Sequence, residues 1–267
     1  MYINAIYYIY LMKLSIKDKT KKDLFIALFQ NLKNFGQLIS VLFEKDHVFI
    51  QGMDNSHVCL YEVKIMNIWF DSYETSDKHL ICFDSHFFYT IISIANETTN
   101  IELIYEDSEN DYLNIHILAK EGKHFHKYFK IPLADMDYEI VNVTNMEHEV
   151  EFSMLSKKMS EIMSQMMLFG SDVQIKCSEE GIHFITGGIS GEMKVDILMD
   201  DLKEYSIIEN DTIDVTYSLN YVYKMCMNSK LSNVIHFSMS KEFPMKVFYD
   251  LGDNSYTTFF IAPKISD

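Results

Sequence analysis

The sequence predicts an α+β fold built from two copies of one domain, and three observations carry that prediction. Displaced by 135 positions the chain matches itself, with Leu24, Leu28 and Leu32 falling on Met159, Met163 and Met167, the same apolar stripe on two helices. Val48-Phe49-Ile50-Gln51-Gly52 falls on His183-Phe184-Ile185-Thr186-Gly187, a strand that ends at glycine both times. Toward the end of each copy the match persists with small slips, 85–93 on 218–226 and 125–131 on 257–263. A period this long marks a duplicated domain rather than a solenoid of many short repeats.

Taken in order, the first copy opens with a strand at about 12–17 and a helix at about 21–35. Lys21-Lys22-Asp23 precede its apolar run and Gly36 follows it. Alternating apolar positions and the Glu44-Lys45-Asp46 turn give strands at about 38–44, 47–52 and 58–66. A helix at about 85–95 and strands near 101–106, 112–119 and 124–131 complete the copy. The second copy has helices at about 156–169 and 219–228. Its strands fall at about 172–178, 181–186, 192–199, 234–240, 245–251 and 256–262. The domains expected are therefore 12–132 and 150–267, joined by an acidic connector at 133–149. The apolar, tyrosine-rich extension 1–11 is too short to span a bilayer and lacks the basic start of a signal peptide. It reads as an upstream start, with Met12 the natural beginning.

The 267 residues are 48% hydrophobic and 14% aromatic, enough to fill two cores. Cys59, Cys82, Cys177 and Cys226 are scattered, as core residues of a reducing compartment are. The net charge of -16 argues, taken alone, against a nucleic-acid binder. Its distribution changes that reading. The helical windows 19–33, 85–95, 155–169 and 218–230 hold Lys19, Lys21, Lys22, Lys33, Lys157, Lys158, Lys224 and Lys230 against Asp23 and Glu161, a surplus of +6 that leaves -22 elsewhere. A cationic helical face on an anionic body attracts a polyanion on one side only; lysine kept for solubility is the competing explanation.

No P-loop, nucleophile elbow, Rossmann glycine pattern or H-E-x-x-H occurs, so neither catalysis nor a cofactor is indicated. His124-Phe125-His126 puts two imidazoles on one strand face without a third ligand in view, and no metal site is assigned. Asp200-Asp201 and Asp135 with Asp137 read as solvated turn and connector residues.

Three motifs then give a resemblance. Gly52-Met53-Asp54-Asn55-Ser56-His57-Val58-Cys59-Leu60 resembles the loop after the third strand of the proliferating cell nuclear antigen (PCNA) family of sliding clamps. Phe259-Phe260-Ile261-Ala262-Pro263-Lys264-Ile265 is similar to that family's C-terminal motif, and Leu133-Ala134-Asp135-Met136-Asp137-Tyr138-Glu139 to the start of its connecting loop. The resemblance runs from about Met12 to Asp267. It implies the DNA-clamp fold, with outer antiparallel sheets and two inner helices per domain. It also implies a homotrimeric ring around double-stranded DNA that tethers a DNA polymerase and other replication and repair proteins. The lysines above would face DNA. Ring closure would pair Tyr112, Asn114, His116 and Leu118 with Glu192, Lys194 and Asp196 of the next subunit. Client proteins carrying the family's short peptide motif (the PIP motif) would enter a pocket of Met53, His57, Val58, Leu60, Val141, Val143, Pro244, Phe260, Ala262 and Pro263. Methionine and aliphatic walls suit such anchors.

The resemblance further implies a separate ATP-driven clamp loader, no membrane association, and a nuclear site or, if the source is a large DNA virus, a cytoplasmic replication site. The chain departs from the family at Asn142 and Thr144, where glycine and proline are common, and at Ile26, Ala27, Ser164 and Asn220, where the inner face is commonly basic. Glu179 stands where cellular clamps carry a modified lysine. A clamp-fold transcription factor or a monomeric processivity factor that binds DNA without a ring is the alternative.

Overall fold

The computed structural model describes residues 10–120, 125–136, 138–143 and 146–264. Residues 1–9 of the extension, His124, Asp137, Thr144 and Ile265 lie outside the described residues. The chain divides into two compact units. The first comprises 1–50, 64–139 and 253–255; the second comprises 51–63, 140–252 and 256–267.

The first unit contains β1 (Tyr10–Ile16), α1 (Lys19–Leu32), β2 (Leu38–Phe43) and parts of β3 (His47–Met53) and β4 (Cys59–Met66). It continues with β5 (Ser72–Thr75), β6 (His79–Asp84), α2 (Ser85–Ile92), β7 (Thr99–Glu106), β8 (Tyr112–Ala119) and β9 (Lys127–Pro132). One antiparallel sheet runs β5-β1-β7-β8-β9, and β2 lies between β3 and β6 in another. Helix α1 starts at Lys19, two residues before the sequence-based start, because Asp18 caps it: its carboxylate accepts from the Lys21 N–H at 2.9 Å. Asp84 caps α2 through the Phe87 N–H at 2.7 Å. The core beneath these helices is aromatic. The Phe88 ring sits 4.5 Å from Phe83, 4.6 Å from Phe29 and 6.4 Å from Phe25, and is fully buried.

The second unit contains β10 (Val150–Leu155), α3 (Ser156–Met166), β11 (Asp172–Ser178), β12 (Gly181–Gly188), β13 (Gly191–Ile197) and β14 (Leu202–Ile207). It ends with β15 (Ile213–Ser218), α4 (Leu219–Cys226), β16 (Val234–Met239), β17 (Met245–Gly252) and β18 (Ser255–Ile261). A four-stranded sheet runs β13-β12-β11-β15, and β14-β10-β16-β17-β18 continues onto the tip of the β3–β4 hairpin. That tip is why the units depart from the boundaries 12–132 and 150–267: residues 51–63 lie beside β18. Helix α3 buries Met159, Met163 and Met166, whereas Met167, the residue aligned with Leu32, is a 37% exposed C-cap.

Five strands were not foreseen. Strands β5 and β14 are sheet-edge strands with no buried position, so they lack the alternation that marks a strand. Strands β6, β10 and β15 end where a helix begins, and the helical signal hid them. Truncating the ring shared by so many neighbours should be severe: Phe88→Ala is expected to lower unfolding stability by about 3–5 kcal/mol in urea titrations.

Candidate functional site

One carboxylate organises the turn that follows β3 in the second unit. Asp54 is only 6% exposed. Its Oδ1 accepts from the N–H groups of Val58 at 2.8 Å and Cys59 at 2.7 Å. Its Oδ2 accepts from the Ser56 N–H at 2.8 Å and from the Tyr221 hydroxyl, on α4, at 2.5 Å. Burial pushes the Asp54 pKa up, but the hydrogen bonds from Tyr221, Cys59, Ser56 and Val58 outweigh it and the net shift is downward. The turn closes with His57 in the left-handed region at φ 56°. Met53 and His57 are thereby exposed and Val58 half-buried, while Leu60 turns into the core.

The C-terminal tail joins this turn. The Ala262 N–H donates to the Val58 carbonyl at 3.1 Å, with Pro263 half-buried just beyond. Nearby, a groove of about 570 Å³ runs between connector residues 140–143 and the sheet residues Phe248, Tyr256, Thr258 and Phe260. Gln51, Glu62 and His148 also line it. His148 has its pKa lowered by burial and then by Lys246, against the opposing pull of Glu151 and Glu149.

Of the ten residues expected to form the pocket, Val141, Val143 and Phe260 therefore meet in the groove. Met53, His57, Val58, Leu60, Pro244, Ala262 and Pro263 do not line it. Sequence reasoning missed Gln51, Glu62, Tyr256 and Thr258. Tyr256 and Thr258 were within reach, because they alternate with Phe260 on one face of β18.

The cationic face is thinner than the sequence implies. Lys19 pairs with Glu97 at 2.7 Å, Lys21 with Asp253 at 2.9 Å, and Lys158 with Asp201. Lys22 is a correction: it is 2% exposed and its ammonium donates to the carbonyls of Asn96, at 2.8 Å, and Thr99, so it is a core residue that offers DNA nothing. Burial first, and then Lys120, lowers its pKa. Lys33 lies over the Tyr89 ring at 4.0 Å and Lys224 over Tyr221 at 5.4 Å. Lys157 and Lys230 are exposed with no ion pair among the described residues. Ile26 is half-buried and Ala27 buried.

The expected subunit contact on β8 is a second correction. Tyr112, Asn114, His116 and Leu118 do share one face of that strand. Both of its ladders are already filled, however: Asn114 faces Ile104 on β7 and Lys130 on β9. The end of that sheet next to β8 is β9, bearing Lys127, Tyr128 and Lys130, with Tyr128 65% exposed; β5 forms the other end. In the second unit β13, with Glu192, Lys194 and Asp196, pairs with β12 alone among the described residues and lies at the end of its sheet. The opposite end, β15, is partly covered by the tail, where the Lys264 N–H donates to the Thr216 carbonyl at 2.8 Å.

His126 accepts from the Ala119 N–H at 3.1 Å. Glu44, Asp46 and His47 also cluster, but Asp46 approaches Nδ1 of the imidazole at 2.7 Å and Glu44 approaches Nε2 at 3.8 Å. The carboxylates thus address different ring nitrogens rather than one metal position. Glu179 accepts from the Asn210 N–H at 2.9 Å. Among the described residues no helix is long and apolar enough to cross a membrane.

Comparison with known proteins agrees with this architecture. Residues 18–140 match the family "Proliferating cell nuclear antigen, N-terminal domain" and residues 142–264 its C-terminal domain. The chain is 27% identical over 230 residues to proliferating cell nuclear antigen of Chaetomium thermophilum, covering 82% of this chain and 86% of the relative. It is 26% identical over 255 residues to proliferating cell nuclear antigen 2 of Plasmodium falciparum, covering 91% and 96%.

Tyr221→Phe removes a donor from a buried carboxylate and should cost about 1.5–3 kcal/mol in chemical unfolding. The sign of the pH effect follows from the lowered Asp54 pKa. The advantage of the parent over Asp54→Asn is full above the ordinary carboxylate value of about 3.9 and is lost as pH falls through the lower folded value.

Proposed function

Because the chain belongs to the proliferating cell nuclear antigen family of DNA sliding clamps, we propose that its copies close head to tail through β9 of one subunit and β13 of the next. Two charged end strands, β9 in the first unit and β13 in the second, carry this reading. Their net charges are opposite in sign, Lys127 and Lys130 against Glu192, Lys194 and Asp196. A heterologous contact that closes on itself makes a ring, here of three subunits. The connector at 133–149 links the two clamp domains within each subunit.

The ring encloses double-stranded DNA, and Lys33, Lys157, Lys224 and Lys230 supply weak phosphate attraction without reading bases. DNA polymerase and other clients dock through a short helical turn with aliphatic and aromatic anchors. Two neighbouring surfaces support that reading: the 53–60 turn with the tail at 262–263, and the groove walled by the connector and Phe260. The chain acts without catalysis. It has no nucleotide-binding motif, so a separate ATP-driven loader opens the ring, and the site of action is the nucleus.

Native mass spectrometry should show three times the 31.4 kDa chain; a single copy at high concentration overturns ring closure. Joint Lys127→Glu and Lys130→Glu substitution should weaken the trimer by about tenfold or more, because close like charges at an interface cost several kcal/mol. Phe260→Ala should abolish polymerase stimulation while the trimer mass stays unchanged. Undiminished stimulation would remove the pocket from the account.

A further inference from the structure

We infer that Gln51 is a positioning residue that clamps the connector in place and so sets the affinity of the neighbouring groove for client peptides. Gln51 sits on β3 at 5% exposure. Its side-chain amide behaves as a missing strand for Val141: Oε1 accepts from the Val141 N–H at 2.8 Å and Nε2 donates to the Val141 carbonyl at 2.9 Å. Both main-chain groups of one connector residue are thus satisfied by one side chain. No other residue of 139–143 makes a hydrogen bond within the described chain. Among the described residues, the hydrogen bonding of this segment to the rest of the fold runs through that single amide.

That amide is itself fixed. Its second N–H reaches Glu62 Oε2 on β4 at 3.3 Å, and the other Glu62 oxygen accepts from the Tyr256 hydroxyl on β18 at 2.8 Å. Burial, followed by Glu62, raises the Tyr256 pKa, so its hydroxyl stays a donor. Reversing the Gln51 amide would turn its oxygen toward both a carboxylate and a carbonyl, which excludes the flipped state. The relay Tyr256–Glu62–Gln51–Val141 therefore runs from the sheet wall of the groove to its connector wall, through residues that all line it except for the backbone bonds themselves.

Holding Val141 holds the neighbouring Ile140 and Val143 side chains over the groove before any ligand arrives. A loose segment would have to be ordered on binding, and that entropy would be subtracted from affinity. The consequence for clients rests on the clamp reading above; the clamping of the connector does not.

The test uses the full chain. In Gln51→Ala, the Val141 amide should exchange with solvent about tenfold faster or more, the scale of losing one or two hydrogen bonds, while Phe49 and Val63 exchange as in the parent. The affinity for a fluorescent peptide with aliphatic and aromatic anchors should fall by about tenfold. Gln51→Glu keeps the acceptor for the Val141 N–H but sets its second oxygen against Glu62 and the Val141 carbonyl, so it should exchange and bind no better than alanine; parent-like behaviour of this variant would overturn the clamp. Gln51→Met, equal in length, repeats the test should the alanine variant fold poorly. Parent-like exchange at Val141 overturns the clamp. Faster exchange with peptide affinity unchanged within twofold overturns its role in binding. A parent chain that ignores the peptide counts against the client pocket, and the exchange arm still decides the clamp.

Discussion

Backbone groups at a strand edge demand partners, and that obligation organises the account. In the first unit β8 is sealed on both sides, and β9 beside it lies at the end of its sheet. In the second, β15 is partly covered by the chain's own tail, which leaves β13 open. An exposed edge invites uncontrolled pairing unless it is short, charged or filled. Here β9 and β13 both carry charge, and the two strands are opposite in net sign. A ring filled by its own copies removes both liabilities together, and a closed ring is what a sliding clamp needs.

Enclosure also explains an electrostatic arrangement that would otherwise look poor for DNA binding. Several helix lysines are engaged by carboxylates of the same chain, one is buried, and few remain free. Exposed ion pairs of this kind add little stability, but they do lower the charge offered to phosphate. Tight attraction would pin a clamp in place; a protein that slides needs only a shallow, non-specific potential. The acidic remainder of the surface discourages DNA from settling elsewhere.

Periodicity made the duplication, the four helices and most strands legible, because a buried helix stripe and a half-buried strand leave regular marks in sequence. Edge strands β5 and β14 left none, since neither buries a side chain. The lysines were legible as charges but not as contacts: Lys22 reads like its neighbour Lys21, and only burial against the Asn96 and Thr99 carbonyls separates them. The choice of β8 over β9 failed for a related reason. The resemblance pointed to a late strand of the first domain, and sequence says nothing of which ladder remains unfilled. Gln51 and Asp54 escaped notice because isolated polar residues in an apolar stretch reveal their partners, Val141 and Tyr221, only when the chain is folded.

The central claim is that geometry retains the duplex where affinity would not. Its most direct test is retention on linear DNA at high salt, with the ends left free or blocked by bound protein after the clamp has threaded on. A closed ring should be retained lastingly only when the ends are blocked and lost rapidly when they are free. Equal retention on both would mean that the chain grips DNA by contact, and would contradict the ring.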